Sequence, residues 1–105
     1  MSLGGFELTG VELGAGVSVI VVDAAPGEGP RLHRHPYREV FVVVEGEATF
    51  TLGDEQRVVR GGEVVVAPAG VPHAFVNSGT GRLRQVDVHE GERFETEWLE
   101  PEGVA

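Results

Sequence analysis

The stretch EVFVVVEGEATFTL, residues 39–52, contains two runs rich in β-branched and aromatic residues, separated by Gly46. β-Branched side chains fit a pleated surface and lose rotamer freedom in helices, so each run predicts a β-strand. Valine is abundant along the whole chain, with 19 copies grouped in runs such as Val17–Val22 and Val64–Val66. No window of 11–18 residues keeps the apolar period of a helix. The predicted strands are Glu7–Leu13, Ser18–Asp23, Arg31–His35, Glu39–Val44, Glu47–Leu52, Gln56–Val59, Glu63–Ala67, His73–Asn77, Leu83–His89 and Phe94–Trp98.

Glycine and proline residues separate these runs. Gly53-Asp54 is typical of a hairpin turn, and Gly61-Gly62 marks another turn. The prolines inside the patterned region fall between runs or at their ends, where a missing N–H does least harm. Many short strands in a small chain predict an all-β fold, either a sandwich or a barrel.

Composition narrows the classes of function. The chain has 105 residues and a mass of 11.2 kDa, which predicts one domain over residues 1–105. Its formal net charge of -9 disfavours nucleic-acid partners and anionic membranes. The absence of Cys and Lys excludes thiolate sites and Schiff-base chemistry on this chain. Neither a membrane span nor a secretion signal is evident, so we expect a cytoplasmic protein.

A cluster of histidines is the main candidate site. His33 and His35 share one face of a predicted strand, and Glu39 opens the next strand after a short turn. Together with His73, these side chains suit a divalent first-row metal such as Fe, Mn, Ni, Cu or Zn. The alternative is that His33 and His35 are surface residues of a polar strand.

The residues around the cluster carry a resemblance to a known family. Residues Gly27 to Gly46 read G-x5-H-x-H-x3-E-x6-G, and residues Gly62 to Asn77 read G-x5-P-x-G-x2-H-x3-N. These two motifs resemble those of the cupin superfamily at all ten specified positions. The resemblance covers residues 27–77, about half of the chain.

The resemblance implies a small antiparallel jelly-roll β-barrel with a metal near one mouth. In this sequence, the ligands carried over are His33, His35, Glu39 and His73. The motif glycines Gly46, Gly62 and Gly70 would lie at turns, while Pro68 and Asn77 would shape the segment that presents His73. Residues 90–105 would form a terminal strand or a tail.

Strand parity supplies candidates for the lining of the site. If Glu39 points inward, Phe41 and Val43 share its face. The candidates for a substrate pocket are Tyr37, Arg38, Phe41, Phe50, Phe75 and Gln85. Core packing is the alternative for each Phe, and pairing with a nearby Glu is the alternative for Arg38.

The predicted strand Leu83–His89 has two possible orientations. Gln85, Asp87 and His89 share one face, and Val86 and Val88 share the other. Because two valines favour burial, we expect Val86 and Val88 to point inward and His89 to be solvated. The opposite orientation would make His89 a weak candidate for acid–base work.

The position of Trp98 in the last predicted strand bears on the oligomeric state. Trp98 shares a face with Phe94 and Thr96 near an expected sheet edge. We expect a homodimer in which the terminal strands take part. The alternative is that Trp98 packs against its own barrel.

Several functions are compatible with this site. The first is a non-haem, dioxygenase-like metal enzyme acting on a small molecule, with Glu39 as a candidate base. An isomerase or lyase on the same metal follows closely, because a Lewis acid also stabilises enolates. A metal-containing module that binds or senses a small ligand without turnover, and a domain stiffened by its metal, are the non-enzymatic alternatives.

Overall fold

Residues 4–100 form ten strands and one short helix. We describe residues 4–100 from a computed structural model. The elements are β1 (Gly4–Leu8), α1 (Gly10–Leu13), β2 (Ser18–Ala24), β3 (His33–Arg34), β4 (Glu39–Glu45), β5 (Glu47–Leu52), β6 (Glu55–Arg60), β7 (Val64–Ala67), β8 (His73–Asn77), β9 (Leu83–His89) and β10 (Glu97–Trp98). The all-β prediction is confirmed, and no helix among these residues is long or apolar enough to cross a membrane.

The strands form two antiparallel sheets that face each other. One has the strand order β1-β2-β9-β4-β7 and the other β10-β3-β8-β5-β6. Strands that are distant in sequence are neighbours in both sheets, as the jelly-roll expectation requires. The inward parity of Glu39, Phe41 and Val43 is confirmed, because all three side chains are buried.

Three aromatic rings join the two sheets. Phe41 from the first sheet lies edge-on to Phe50 of the second, with ring centroids 4.9 Å apart, and Phe50 lies 5.4 Å from Phe75. Such pairs stabilise a core beyond the area that they bury. They therefore hold β4, which begins at Glu39, against β8, which begins at His73.

The tight connection between β4 and β5 depends on Gly46. Its φ of 94° lies in the region that favours glycine. A Cβ at this position would also lie 2.4 Å from the carbonyl oxygen of Arg82. Only glycine therefore allows these two strands to join so closely.

Asn77 fastens the far end of β8. Its buried amide donates hydrogen bonds to the carbonyl oxygens of Ala24 (3.0 Å) and Gly81 (2.8 Å), and its side-chain oxygen accepts one from the N–H of Gly79 (2.9 Å). All the strong bonding groups of this side chain are used within the protein. The strand that presents His73 is thus fixed at its other end.

The prediction of one strand over Glu7–Leu13 is wrong. Strand β1 ends at Leu8, and residues Gly10–Leu13 form α1. Thr9 caps this helix by accepting a hydrogen bond from the N–H of Glu12, whose carboxylate in turn accepts one from the N–H of Thr9. This reciprocal pair is a capping box, a local signal that outweighs the β propensity of Val11.

The cap leads to a stability prediction. Thr9→Ala removes the side-chain acceptor, and we expect it to lower the free energy of unfolding by about 1 kcal/mol. Thr9→Ser keeps the acceptor and is expected to unfold like the original protein. Urea denaturation compares the three proteins, and equal midpoints for Thr9→Ala and the original protein would contradict the assignment.

A candidate metal centre between the two sheets

Four predicted ligands from three strand ends meet between the sheets. His33 lies on β3 directly opposite His73 on β8, and His35 follows β3. Glu39 begins β4 in the other sheet. One ligand atom from each of the four lies within 4.8 Å of all the others, and all four side chains are buried.

Backbone carbonyl groups orient the three imidazoles. The Nδ1 atom of His33 lies 2.6 Å from the carbonyl oxygen of Arg31, that of His35 lies 2.8 Å from the oxygen of Glu95, and that of His73 lies 3.0 Å from the oxygen of Val71. A carbonyl accepts only, so each Nδ1 carries the proton. The Nε2 lone pair of each neutral ring is therefore free for a metal, the usual arrangement of metal-binding histidines.

The carboxylate of Glu39 requires a positive charge nearby. Its Oε1 atom lies 3.0 Å from Nε2 of His35 and 3.1 Å from Nε2 of His73. With the Nδ1 atoms protonated, these contacts place lone pairs against a carboxylate oxygen. Nε2 of His35 is buried and makes no hydrogen bond of acceptable geometry. A divalent cation bound to these atoms removes the repulsion, so the residues fit a metal.

In the absence of a metal, a proton on an imidazole Nε2 atom can supply the positive charge that Glu39 requires, and this accounts for the pKa shifts of Glu39 and His35. Burial alone would raise the pKa of Glu39, but the contacts with the imidazoles of His35, His73 and His89 outweigh it and lower that pKa well below its usual range. Burial lowers the pKa of His33 to about 4. For His35, burial acts downward, yet the contact with Glu39 leaves the pKa raised. The site therefore keeps a carboxylate and a neutral imidazole ready for a cation at neutral pH.

Three of the four ligands line a cavity of about 400 Å³. Its lining combines His33, His35 and Glu39 with apolar side chains, among them Phe75, Phe94 and Trp98. This volume is in the range of small-molecule sites, which are mostly apolar with a few polar groups. A metal held by the four side chains would therefore be accessible to a small molecule.

Comparison with known proteins now identifies the family. The family model of the cupin domain matches residues 20–89, two thirds of the chain. The chain belongs to the cupin domain family. The resemblance read from the two motifs is thereby confirmed.

Individual relatives of this cupin include enzymes of several kinds. An oxalate oxidase structure with the substrate analogue glycolate is 28% identical, with a TM-score of 0.81 over 92% of this chain and 55% of that one. The oxalate decarboxylase of Lactobacillus farciminis, solved as a formate complex, has a TM-score of 0.84 at 23% identity over 92% of this chain and 31% of that one, which supports the fold alone. Mannose-1-phosphate guanylyltransferase 2 of Escherichia coli O157:H7 is 31% identical over 78% of this chain, which spans only 17% of the length of that protein.

The expected orientation of β9 is wrong for this cupin. Gln85, Asp87 and His89 are buried, whereas Val86 and Val88 are partly exposed on the outside. Glu39 is the direct neighbour of His89 across β4 and β9, so the two point to the same side. Nε2 of His89 lies 3.0 Å from Oε2 of Glu39. The weak candidate His89 thus lies beside the metal ligands.

Asp87 was not among the predicted site residues. It is completely buried, lines the cavity and accepts a hydrogen bond of 2.9 Å from Nε2 of Gln85. Burial and then the negative charge of Glu39 raise the pKa of Asp87 well above its ordinary value. The predicted pocket residue Gln85 does not line the cavity but supports Asp87 from behind.

Tyr37 positions His89 and a loop of the cavity wall. Its hydroxyl lies 2.8 Å from Nδ1 of His89 and accepts a hydrogen bond from the N–H of Glu95 (3.1 Å). Its ring stacks on His35 at 5.1 Å. Phe94 precedes β10, which comprises only Glu97–Trp98 rather than the predicted strand Phe94–Trp98, and its ring lies edge-on to His89 at 5.0 Å. The aromatic residues of the turn and loop therefore enclose the imidazoles.

The remaining predicted pocket residues occupy different places. Phe75 lines the cavity, whereas Phe41 and Phe50 are core residues behind it. Arg38 lies outside the cavity, because it is exposed and forms an ion pair of 2.7 Å with Glu90. Trp98 packs in its own chain, 4.9 Å from His33, rather than being left without a contact.

Proposed function

We propose that this cupin is a metal-dependent oxygenase that acts on a small molecule. The observation that carries the proposal is the convergence of His33, His35, Glu39 and His73 on one point, with the first three lining a mostly apolar cavity. Four protein ligands leave a six-coordinate metal open to other molecules, unlike a closed structural site. The likeness to an oxalate oxidase at 28% identity supports chemistry with O2 on this scaffold.

In this proposal, metal binding, lining of the cavity and proton transfer are assigned to different residues. His33, His35, Glu39 and His73 would hold the metal, which would supply Lewis acidity and redox chemistry with O2. Phe75 and Phe94 present apolar surface to a ligand in the cavity. The imidazole of His89 lies beside Glu39, where it can donate or accept a proton. The hydroxyl of Tyr37 fixes the orientation of the His89 ring.

Oxygen uptake tests the proposal. The protein is loaded anaerobically with Fe(II), and separately with Mn(II), and is then mixed with O2 and a panel of diols, β-diketones and thiols. We expect uptake that depends on one class of substrate and disappears in His73→Ala. Glu45→Gln, which alters an exposed carboxylate outside the site, is the matched control and is expected to keep the activity.

Two results would overturn the oxygenase proposal. Tight ligand binding without turnover, whatever the metal, would favour the binding module. Conversion of a ligand without O2 uptake would favour an isomerase or a lyase.

A further inference from the structure

We infer that the cavity accepts ligands that are uncharged and apolar beyond their metal-binding atoms, and that it disfavours dianions such as dicarboxylates and sugar phosphates. This inference rests on the proposed function and specifies its substrate class. It separates this cupin from the substrates that the names of its relatives suggest. The support comes from the charges in and around the cavity.

No arginine lines the cavity within residues 4–100, and residues 1–3 and 101–105 contain no Arg or Lys. Five of the eight arginines are paired with carboxylates away from the cavity. These pairs are Arg34–Glu97, Arg38–Glu90, Arg60–Glu47, Arg82–Asp23 and Arg84–Glu45. Arg31 lies against the ring of Trp98, 4.3 Å from its centroid, and donates to the carbonyl oxygen of Glu100.

Besides the histidines, the titratable groups that line the cavity are acidic. Glu7, Glu39 and Asp87 are all carboxyl residues. The imidazole of His89 is engaged by Glu39 on one side and by Tyr37 on the other. A metal would therefore be the one strong cation in the cavity. If one negative charge of a ligand bound the metal, a second negative charge on that ligand would be buried without a partner.

The rest of the wall favours apolar contact. Ile20, Phe75, Phe94 and Trp98 present hydrocarbon and aromatic surface to the cavity. Burying a phenyl group rather than a methyl group against such surface increases affinity by about tenfold or more. The cavity thus favours ligands with large apolar groups and provides no partner for a negative charge far from the metal.

Binding to the cobalt(II)-loaded protein tests this inference without turnover. The visible spectrum of cobalt(II) reports ligand binding during titrations with acetylacetone, benzoylacetone, oxalate and mannose 1-phosphate. Each affinity is divided by that of the same ligand for aqueous cobalt(II). We expect benzoylacetone to exceed acetylacetone by about tenfold and oxalate to fall below both by at least about tenfold.

An engineered cation provides the complementary test. Thr96→Arg places a guanidinium on an exposed residue of the cavity lining, and Thr80→Arg places one on a distant exposed turn. We expect Thr96→Arg alone to raise the relative affinity for oxalate by about tenfold.

The outcomes separate this inference from the oxygenase proposal. Oxalate binding as well as benzoylacetone, or no spectral response to either β-diketone, would overturn the substrate class. Tight benzoylacetone binding without O2 uptake would support the apolar substrate class and contradict the oxygenase proposal. Turnover of oxalate with O2 uptake would support the oxygenase proposal and contradict the apolar substrate class.

A separate observation concerns the outside of the first sheet. Eight outward-facing valines of β2, β9, β4 and β7 lie in two straight rows across four strands. The rows are Val19–Val88–Val40–Val66 and Val21–Val86–Val42–Val64. Leu8 and Phe6 of β1 continue the two rows by register. Val64 and Val66 are 55% and 46% exposed, so this valine face is open to solvent.

We propose that the valine face binds a second copy of this chain across a two-fold axis. With strands about 4.8 Å apart and outward residues about 6.8 Å apart, the apolar rows cover roughly 350 Å². Adding the polar rows on either side gives roughly 650 Å² per partner, within the range of stable interfaces. A patch of identical side chains is complementary to itself, as an isologous contact requires.

The rim of the valine face agrees with this occupant. Arg38 and Glu90 lie at one end, and Arg84 and Glu45 lie at the other. Each end carries both signs of charge, so neither orientation of the two-fold axis brings a block of like charges together. The net charge of -9 disfavours an anionic lipid surface as the alternative occupant.

Light scattering coupled to gel filtration measures the assembly. At micromolar concentration we expect the original protein to have twice the 11.2 kDa mass of one chain. The Val86→Glu variant places a charge at the centre of the valine face, and we expect it to have the mass of one chain. Val76→Glu, on an exposed residue of β8 in the other sheet, is the matched control and should remain a dimer. Circular dichroism checks that both variants fold.

Three results would overturn the dimer. The first is a monomeric original protein at about 100 μM, and the second is a Val86→Glu variant that stays dimeric. The third is a monomer that binds neutral phosphatidylcholine vesicles, which would assign the valine face to a lipid surface.

Discussion

Replacing Glu39 by Gln is expected to lower the affinity for divalent metal by at least about 100-fold. Replacing a residue that hydrogen-bonds a metal ligand typically costs about 10–100-fold in affinity, and Glu39 is itself a ligand and the negative charge of the group. Glu39→Gln leaves three imidazoles whose lone pairs face an amide of similar size. A competition titration with a chromophoric chelator and Zn(II) measures the loss.

Two controls show whether this loss arises from the metal group itself. Glu45→Gln removes an exposed carboxylate 3.4 Å from Arg84 and is expected to keep the original affinity. Tyr37→Phe removes the hydroxyl beside His89 but leaves the four ligands in place, and we expect a loss of less than about tenfold. Unchanged, stoichiometric binding by Glu39→Gln would show that the metal, if bound, lies elsewhere.

The ligand group could be predicted because each part of it depends on local pattern. His33 and His35 share a face by the period of a strand, and the motif spacing adds Glu39 and His73. The structure adds what spacing does not contain, namely the carbonyl groups that fix the three Nδ1 protons. One of these, from Glu95, lies in a segment that was predicted as part of the strand Phe94–Trp98 but precedes β10 in the structure, so its strand pattern did not assign it to the site.

The orientation of β9 could not be predicted from its own residues. Either face of β9 could be buried. One face carries the apolar Val86 and Val88, and the other carries Asp87 and His89, which could belong to a site inside the barrel. The decision comes from register, because His89 lies opposite Glu39 on β4, whose inward direction was predicted. Outward valines are tolerated because neighbouring valines in the same rows shield one another.

The second large effect that we expect is a gain of stability in Asp87→Asn. Asp87 is completely buried, and its raised pKa means that the folded protein retains a proton which the unfolded chain releases above its ordinary pKa of 3.8. Below that pH both states are protonated and the group costs nothing. As pH rises toward the folded pKa, stability falls by up to about 1.4 kcal/mol per pH unit. Asn does not titrate and still accepts the hydrogen bond from Gln85.

Metal-free protein is required for this comparison, since a bound cation would favour the ionised carboxylate. We expect Asp87→Asn to be more stable by roughly 1–3 kcal/mol at pH 7, the size of the penalty for an unmet buried polar group, with a gap that widens from pH 4 upward. Glu39 has the opposite shift, so its own contribution is lost only at lower pH. Above pH 4 it is ionised in both proteins, and its charge is constant over the range compared. Urea unfolding at several pH values measures that difference. A gap that is constant with pH, or a less stable variant, would show that Asp87 is ionised and well paired in the folded protein.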